Sequence, residues 1–160
     1  VLDQLLTLAR AERGMQEAPL QTVNWAALAR DVAAAQAQSA WQRQDVLAVD
    51  APESLTVRGN ALLLESALRN LIENAVRHTP MGTQIEVQAG LDADQGLAWI
   101  QICDDGRRDA APEHVPPADS LHLGHEIVGR VMQAHGGRFE QADAPPGFTT
   151  CYRMEMPTAG

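Results

Sequence analysis

Asn70 and Asn74 lie four residues apart in a stretch that also holds Glu73, Arg77 and His78. Wound as a helix at about 100° per residue, Leu64, Leu68, Leu71, Ile72 and Ala75 form one apolar arc. Asn70, Asn74 and Arg77 occupy the neighbouring arc, with Glu73 on its outer side and His78 next to Leu71. Polar side chains at the margin of a buried face are costly unless something satisfies them. An amide oxygen suits a hard cation such as Mg²⁺, and a guanidinium suits phosphate, so a Mg-nucleotide would satisfy both. The spacing alone fits a solvated helix flank as well, and both readings stay open at this point.

Other chemistry-bearing residues are weaker signals by themselves. Asp104-Asp105-Gly106 ends an alternating run, as an ordinary Asp-Gly turn would. His122, His125 and Glu126 fit neither an HExxH nor an HxxEH metal pattern and read as exposed loop residues. Cys103 and Cys151 form no CxxC or zinc-ligand spacing. They read as small buried residues in a reducing compartment. Trp25, Trp41 and Trp99 read as packing residues.

The chain of 160 residues is one domain with a short appendage, and 45% apolar residues suffice for a single core. A formal net charge of −9 disfavours nucleic acid and anionic membrane surfaces as partners, both being polyanions. It leaves open a nucleotide held by a local cluster of donors. No apolar stretch approaches the roughly 20 residues of a membrane span, and no signal peptide is visible. The chain starts without Met in a helical pattern, so a piece of a longer protein is expected.

The elements that must position these residues follow from pattern and punctuation. Leu2, Leu5, Leu6, Ala9 and Glu12 sit on helical spacing, and their stripe needs a partner helix or a second subunit. Gly14 and Pro19 mark a linker. Asn24 caps a helix from Trp25 to about Arg43, and Asn60 caps a second, Ala61–His78, ended by Thr79-Pro80. Strands are expected over Val46–Val49, Leu55–Arg58, Gln84–Gly90, Ala98–Asp104, Arg138–Gln141 and Thr149–Met156. Residues 105–121, with Pro112, Pro116 and Pro117, read as an irregular loop. Gly124–His135 reads as a third helix, with Gly136-Gly137 as its C-cap. Hairpin-like strand pairs separated by single helices predict an α+β fold, a two-layer sandwich of a mixed sheet covered by three helices.

Asn70-Leu71-Ile72-Glu73-Asn74-Ala75-Val76-Arg77-His78-Thr79-Pro80 resembles the N box of the sensor histidine kinases, members of the GHKL ATPase superfamily. Ile100 to Gly106 resembles the family's first glycine box, and Leu121 to Val128 its second. His135-Gly136-Gly137 and Gly147 to Pro157 resemble the closing strands. Asp3 to Arg10 resembles the end of the dimerisation helix. The resemblance implies the Bergerat-type ATP-binding fold, with residues 1–14 ending a dimerisation helix, 15–22 a linker and first strand, and 23–160 the catalytic domain. It implies ATP and Mg²⁺ as cofactors. Asn70 and Asn74 would face phosphates and Mg²⁺, Asn74 meeting the metal through the nucleotide, and Arg77 would contact phosphate. His78 would lie beside the nucleotide, and Glu73 would orient a Mg-bound water. Asp104 would accept from the adenine amino group, and Gly106 would let the backbone approach the base. Arg108, Leu123, Gly124 and Thr149 complete the implied nucleotide contacts. Gly124 would help open a helix whose N-terminus holds phosphate.

The family pattern is broken in places. Arg108 stands where the first glycine box has its second Gly, His122 where the second box has its first, and His125 at the apolar position after Gly124. The segment between the boxes is short and carries no aromatic anchor for a lid. Either these side chains replace backbone donors with charge, or nucleotide binding is weakened and the domain is a phosphatase-biased or non-catalytic module. An ATPase or protein-serine kinase on the same fold is a further alternative, which the attached helix disfavours. The implied partners are the protein's own dimerisation domain, a response regulator and a second copy in the full-length homodimer. The implied location is the cytoplasmic side of an inner-membrane sensor. None of the five histidines falls in the N-terminal helix that would carry the acceptor. Incubated alone with γ-labelled ATP, the chain is therefore expected to take up no label, and self-labelling on histidine would refute that expectation.

Overall fold

The computed structural model describes residues 20–106 and 118–159, the side chains of 118–123 excepted, together with Leu6 and Ala9. Leu6 and Ala9 are helical and exposed, as the N-terminal spacing predicts. Two asparagines then decide where helices begin. Asn24 Oδ1 accepts from the Ala27 amide at 3.2 Å and from the Leu55 amide at 3.1 Å, while its Nδ2 donates to the Glu53 carbonyl at 3.3 Å. It both caps α1 (Trp25–Gln42) and ties that cap to a distant loop. Asn60 Oδ1 accepts from the Leu62 and Leu63 amides at 3.0 and 3.2 Å and starts α2 (Ala61–Arg77). Each cap satisfies amides that the first helical turn leaves without partners.

The strands are β1 (Gln21–Asn24), β2 (Val46–Asp50), β3 (Thr56–Gly59), β4 (Gln84–Asp92), β5 (Leu97–Asp104), β6 (Arg138–Ala142) and β7 (Thr150–Pro157). β1 and β3 form a small antiparallel pair, and the main sheet runs β2-β4-β5-β7-β6. β2 lies parallel to β4, and the other neighbours are antiparallel. Period-2 alternation sends Ile85, Val87, Ile100, Ile102, Met154 and Met156 into one core with Leu64, Leu68 and Ile72 of α2. This is the expected mixed sheet with three helices. On the opposite face, Gln101 Nε2 donates to Gln88 Oε1 at 2.6 Å, and the Arg153 guanidinium lies 4.5 Å above the Trp99 ring. Burial would raise the Glu155 carboxyl there, but hydrogen bonds from Arg138 and Arg153 outweigh it and hold the carboxyl below its usual range.

Two expectations need correction, and the cysteines prove buried as expected. The third helix, α3, runs Ala118–Ala134 and not from Gly124. With His122 in place of a glycine, nothing interrupts the winding from Ala118 onward. Trp41 is 81% exposed, one residue round from buried Ala40 and off the packed stripe of α1, while Trp25 is fully buried. Cys103 and Cys151, unrelated by any spacing rule, are directly opposed on β5 and β7 with sulfurs 2.6 Å apart. Both are buried free thiols. Hydrogen bonding to Cys151, and then burial, push the Cys103 thiol far up, so it keeps its proton.

His135, after α3, accepts at Nε2 from the Asn60 amide at 3.1 Å, and its Nδ1 lies 2.7 Å from the Val131 carbonyl. Only a neutral ring protonated at Nδ1 serves both. Burial lowers its pKa, partly opposed by the Val131 bond. The unfolded chain therefore binds a proton near pH 6.5 that the folded chain refuses. Stability is whole above that pH and falls as the pH drops toward the lower folded value. His135→Gln, which offers an acceptor but no titration, is expected to lose less stability than wild type between about pH 7 and about pH 5.5 in urea unfolding. Equal losses would assign the pH dependence elsewhere. Asn60→Ala is expected to cost about 1 kcal/mol, and Asn24→Ala about 2 kcal/mol because it also releases Leu55 and Glu53.

Candidate functional site

The amide strip of α2 and the end of β5 face each other beneath α3. Leu71, Asn74 and Ala75 of α2, Ile102 and Asp104 of β5, His125 of α3 and Tyr152 of β7 line one cavity of about 10 Å³, room for roughly one water. Asn74 Nδ2 is buried with no hydrogen-bond partner, a state that costs about 1–3 kcal/mol. Gly124 presses against it, and a Cβ at that position would lie 2.5 Å from Asn74 Nδ2. Glycine is what lets α3 approach so closely.

Asp104 is 2% exposed. Its Oδ1 accepts from the Gly106 amide at 3.1 Å, and its carbonyl accepts from the Thr149 amide at 2.8 Å. The Thr149 hydroxyl donates to the Gly106 carbonyl at 2.9 Å. A Cβ on Gly106 would meet Thr79 Cβ, Pro80 Cδ and Thr83 Oγ1 at 3.1–3.2 Å. The Asp-x-Gly turn thus packs on the Thr-Pro turn that ends α2. That second turn is held by Arg43, which donates to the Thr79 carbonyl at 2.6 Å, and by Asp45, which accepts from the Thr83 amide at 2.9 Å.

The fold brings together Asn74, Asp104, Gly106, Gly124 and Thr149, from four segments. Asn70 stands one turn before Asn74 with its Nδ2 bonded to the Ser66 carbonyl at 2.8 Å. This commits the amide nitrogen, not the oxygen, to the helix. His78 is the half-buried C-cap of α2, and its amide bonds to the Asn74 carbonyl at 2.9 Å. Arg77 is exposed. Glu73 turns toward α1, accepting from Gln36 Nε2 at 3.4 Å, and does not line the cavity. Arg108 lies outside the described residues, and Leu123 is described only in its backbone.

Two expectations change here. Gly124 does not open α3, which starts six residues earlier at Ala118, so its amide sits where helix bonds claim the N–H groups. His125 is no exposed loop residue. It is half-buried in α3, with its ring centroid 4.5 Å from that of Tyr152 and 5.5 Å from that of Phe139. The signal was available, since His125, Val128 and Met132 share helical spacing, and the last two are fully buried. Tyr152 drew no attention in the sequence, although it alternates with core residue Met154.

The chain belongs to the histidine kinase-, DNA gyrase B- and HSP90-like ATPase family, whose profile matches residues 59–160. The fold is that of histidine kinase catalytic domains. It superposes on the nucleotide-free catalytic domain of histidine kinase ThkA with a TM-score of 0.73 at 16% identity, over 88% of this chain and 97% of that one. On the cytoplasmic segment of histidine kinase QseC the TM-score is 0.71 at 23% identity, over 98% and 90%. Among curated proteins it is similar to sensor protein IrlS of Burkholderia pseudomallei, 30% identical over 98% of this chain and 36% of that protein. It is also 30% identical to sensor protein kinase PmrB of Pseudomonas aeruginosa, over 86% of this chain and 31% of that protein. The chain thus spans about a third of the length of the curated relatives it matches. Among the described residues, no helix is long and apolar enough to cross a membrane.

The contact between Gly124 and Asn74 is testable without any ligand. Gly124→Ala is expected to cost about 1–3 kcal/mol through overpacking, less the helix propensity that alanine gains. Asn74→Ala should relieve it, so the double variant should be more stable than the two single losses add up to. Simple additivity in urea unfolding would show that the two residues do not meet.

Proposed function

We propose that this chain is the ATP-binding catalytic domain of a sensor histidine kinase. It would transfer the ATP γ-phosphoryl to a histidine on its dimerisation domain, for relay to a response regulator. The observation that carries the reading is the buried, partnerless Asn74 amide at the edge of a cleft whose other wall is Asp104. A domain spends stability on such a group where a ligand is to meet it. The polar end of the cleft fits a Mg-nucleotide, with Asn70 and Asn74 toward the metal and phosphates and Arg77 at the rim. Asp104 would accept from the adenine amino group, with the Gly106 amide holding its carboxylate and Thr149 its backbone in place. Mg²⁺ bound with the nucleotide supplies charge neutralisation on the phosphates. The protein's share is positioning, which is most of what phosphoryl transfer asks of it.

The location follows as an inference. Its relatives are sensor proteins, and the domain would sit on the cytoplasmic side of a membrane-anchored homodimer. Domain limits at 1–14, 15–22 and 23–160 are part of this proposal, although β1 (Gln21–Asn24) straddles the last of them.

A second reading, a kinase-like module with weak or no nucleotide binding, is favoured by one observation: the base end of the cleft holds only about 10 Å³. Calorimetric titration of a non-hydrolysable ATP analogue with Mg²⁺ separates the two. Binding that weakens by about tenfold or more in Asn74→Ala, roughly one good hydrogen bond, supports the catalytic domain. No heat and no thermal stabilisation at millimolar nucleotide would leave the fold and remove the chemistry.

A further inference from the structure

Asp104, the residue assigned to the base, shares its cavity with an imidazole. His125 stands on the same cleft floor as Ile102 and Tyr152, and what remains between these side chains is about 10 Å³. Pockets that hold small organic ligands run to about 300 Å³ or more. The ring is not there by accident of a loose loop. Gly124 beside it is locked on Asn74, and Ile127 and Val128 just beyond it are buried at 2% and 0% exposure. Its backbone is therefore fixed, and the ring rests against two aromatic neighbours, Tyr152 and Phe139. Those two rings stack on each other at 6.0 Å, with 29° between their planes. The imidazole meets Tyr152 at 55° and Phe139 edge-on at 66°, and with the buried carboxylate beside it fills the end of the cleft that a bound base would otherwise take.

We propose that His125 decides what enters the base end of this cleft. Its imidazole occupies the place beside Asp104 that a purine must take, and a nucleotide binds only once that ring has been displaced. The proposal rests on the nucleotide-binding reading and deepens it. The site selects ligands with a flat base able to replace the imidazole against Tyr152. Affinity is reduced by the fraction of molecules in which the ring is seated. A ligand made of phosphates alone does not compete with His125 and does not feel it.

The test uses ADP and inorganic tripolyphosphate, each with Mg²⁺, titrated calorimetrically into wild type, His125→Ala and His125→Ser. Circular dichroism confirms that each variant is folded. ADP affinity is expected to rise about tenfold in both variants, with tripolyphosphate binding unchanged. A second readout needs no variant. The His125 ring protons, shifted by the Tyr152 and Phe139 ring currents, should move toward ordinary histidine positions when ADP is added and stay in place with tripolyphosphate. Unchanged or weaker ADP binding in the variants, or ring protons that ignore ADP while it binds, would overturn the gate and leave the nucleotide site standing. If neither wild type nor variants bind ADP or tripolyphosphate at millimolar concentration, the nucleotide reading itself fails and the gate with it.

Discussion

Leu64, Leu68 and Ile72 lose all exposure along one side of α2, and Leu63, Leu71 and Val76 keep at most 2%. At about 1.5–3 kcal/mol for each apolar side chain, this face contributes several times what the partnerless Asn74 amide takes away, about 1–3 kcal/mol. That imbalance is the constraint on which the site depends. The helix is clamped so firmly by its apolar face that it can carry an unsatisfied amide along its margin. Both α1 and α3 pack on α2, so the angular position of Asn74 is set by three helices and the sheet together.

The opposite wall is fixed by polar means. Asp104 lies at the end of β5, and its backbone and side chain are tied to Thr149 and Gly106. Gly106 in turn leans on the Thr79-Pro80 turn. The two walls are thus joined where α2 ends, through contacts that any Cβ at residue 106 would crowd. An apolar clamp sets one side, and a ring of short backbone bonds sets the other.

The amphipathic period of α2, its Asn60 cap and the Thr79-Pro80 stop are local, and they are legible in sequence to within one residue of the helix end. So are the alternating strands and the Asp-x-Gly turn. The start of α3 was not legible, because a polar, proline-rich approach reads as loop until the helix beyond it is seen to continue through Leu123. His125 already fell inside the expected helix, but its role was hidden because its neighbours Tyr152 and Phe139 come from strands that follow α3. The opposition of Cys103 and Cys151 depends on the β5–β7 register, which no local pattern carries. What escaped the sequence was in each case a meeting of distant segments.

The position of β7 has a consequence for assembly. It is the last of the seven strands among the described residues but lies inside the main sheet, between β5 and β6. Until it is made, β5 has an open edge on that side, Asp104 lacks the amide of Thr149 and the cleft has no Tyr152. A chain emerging from the ribosome can wind α2 early from local contacts, yet the pairing of β5 with β7 must close a long loop first. The cleft is therefore assembled late. A nascent chain lacking its last strand would hold the amide strip without a floor and offer an unpaired sheet edge to its neighbours.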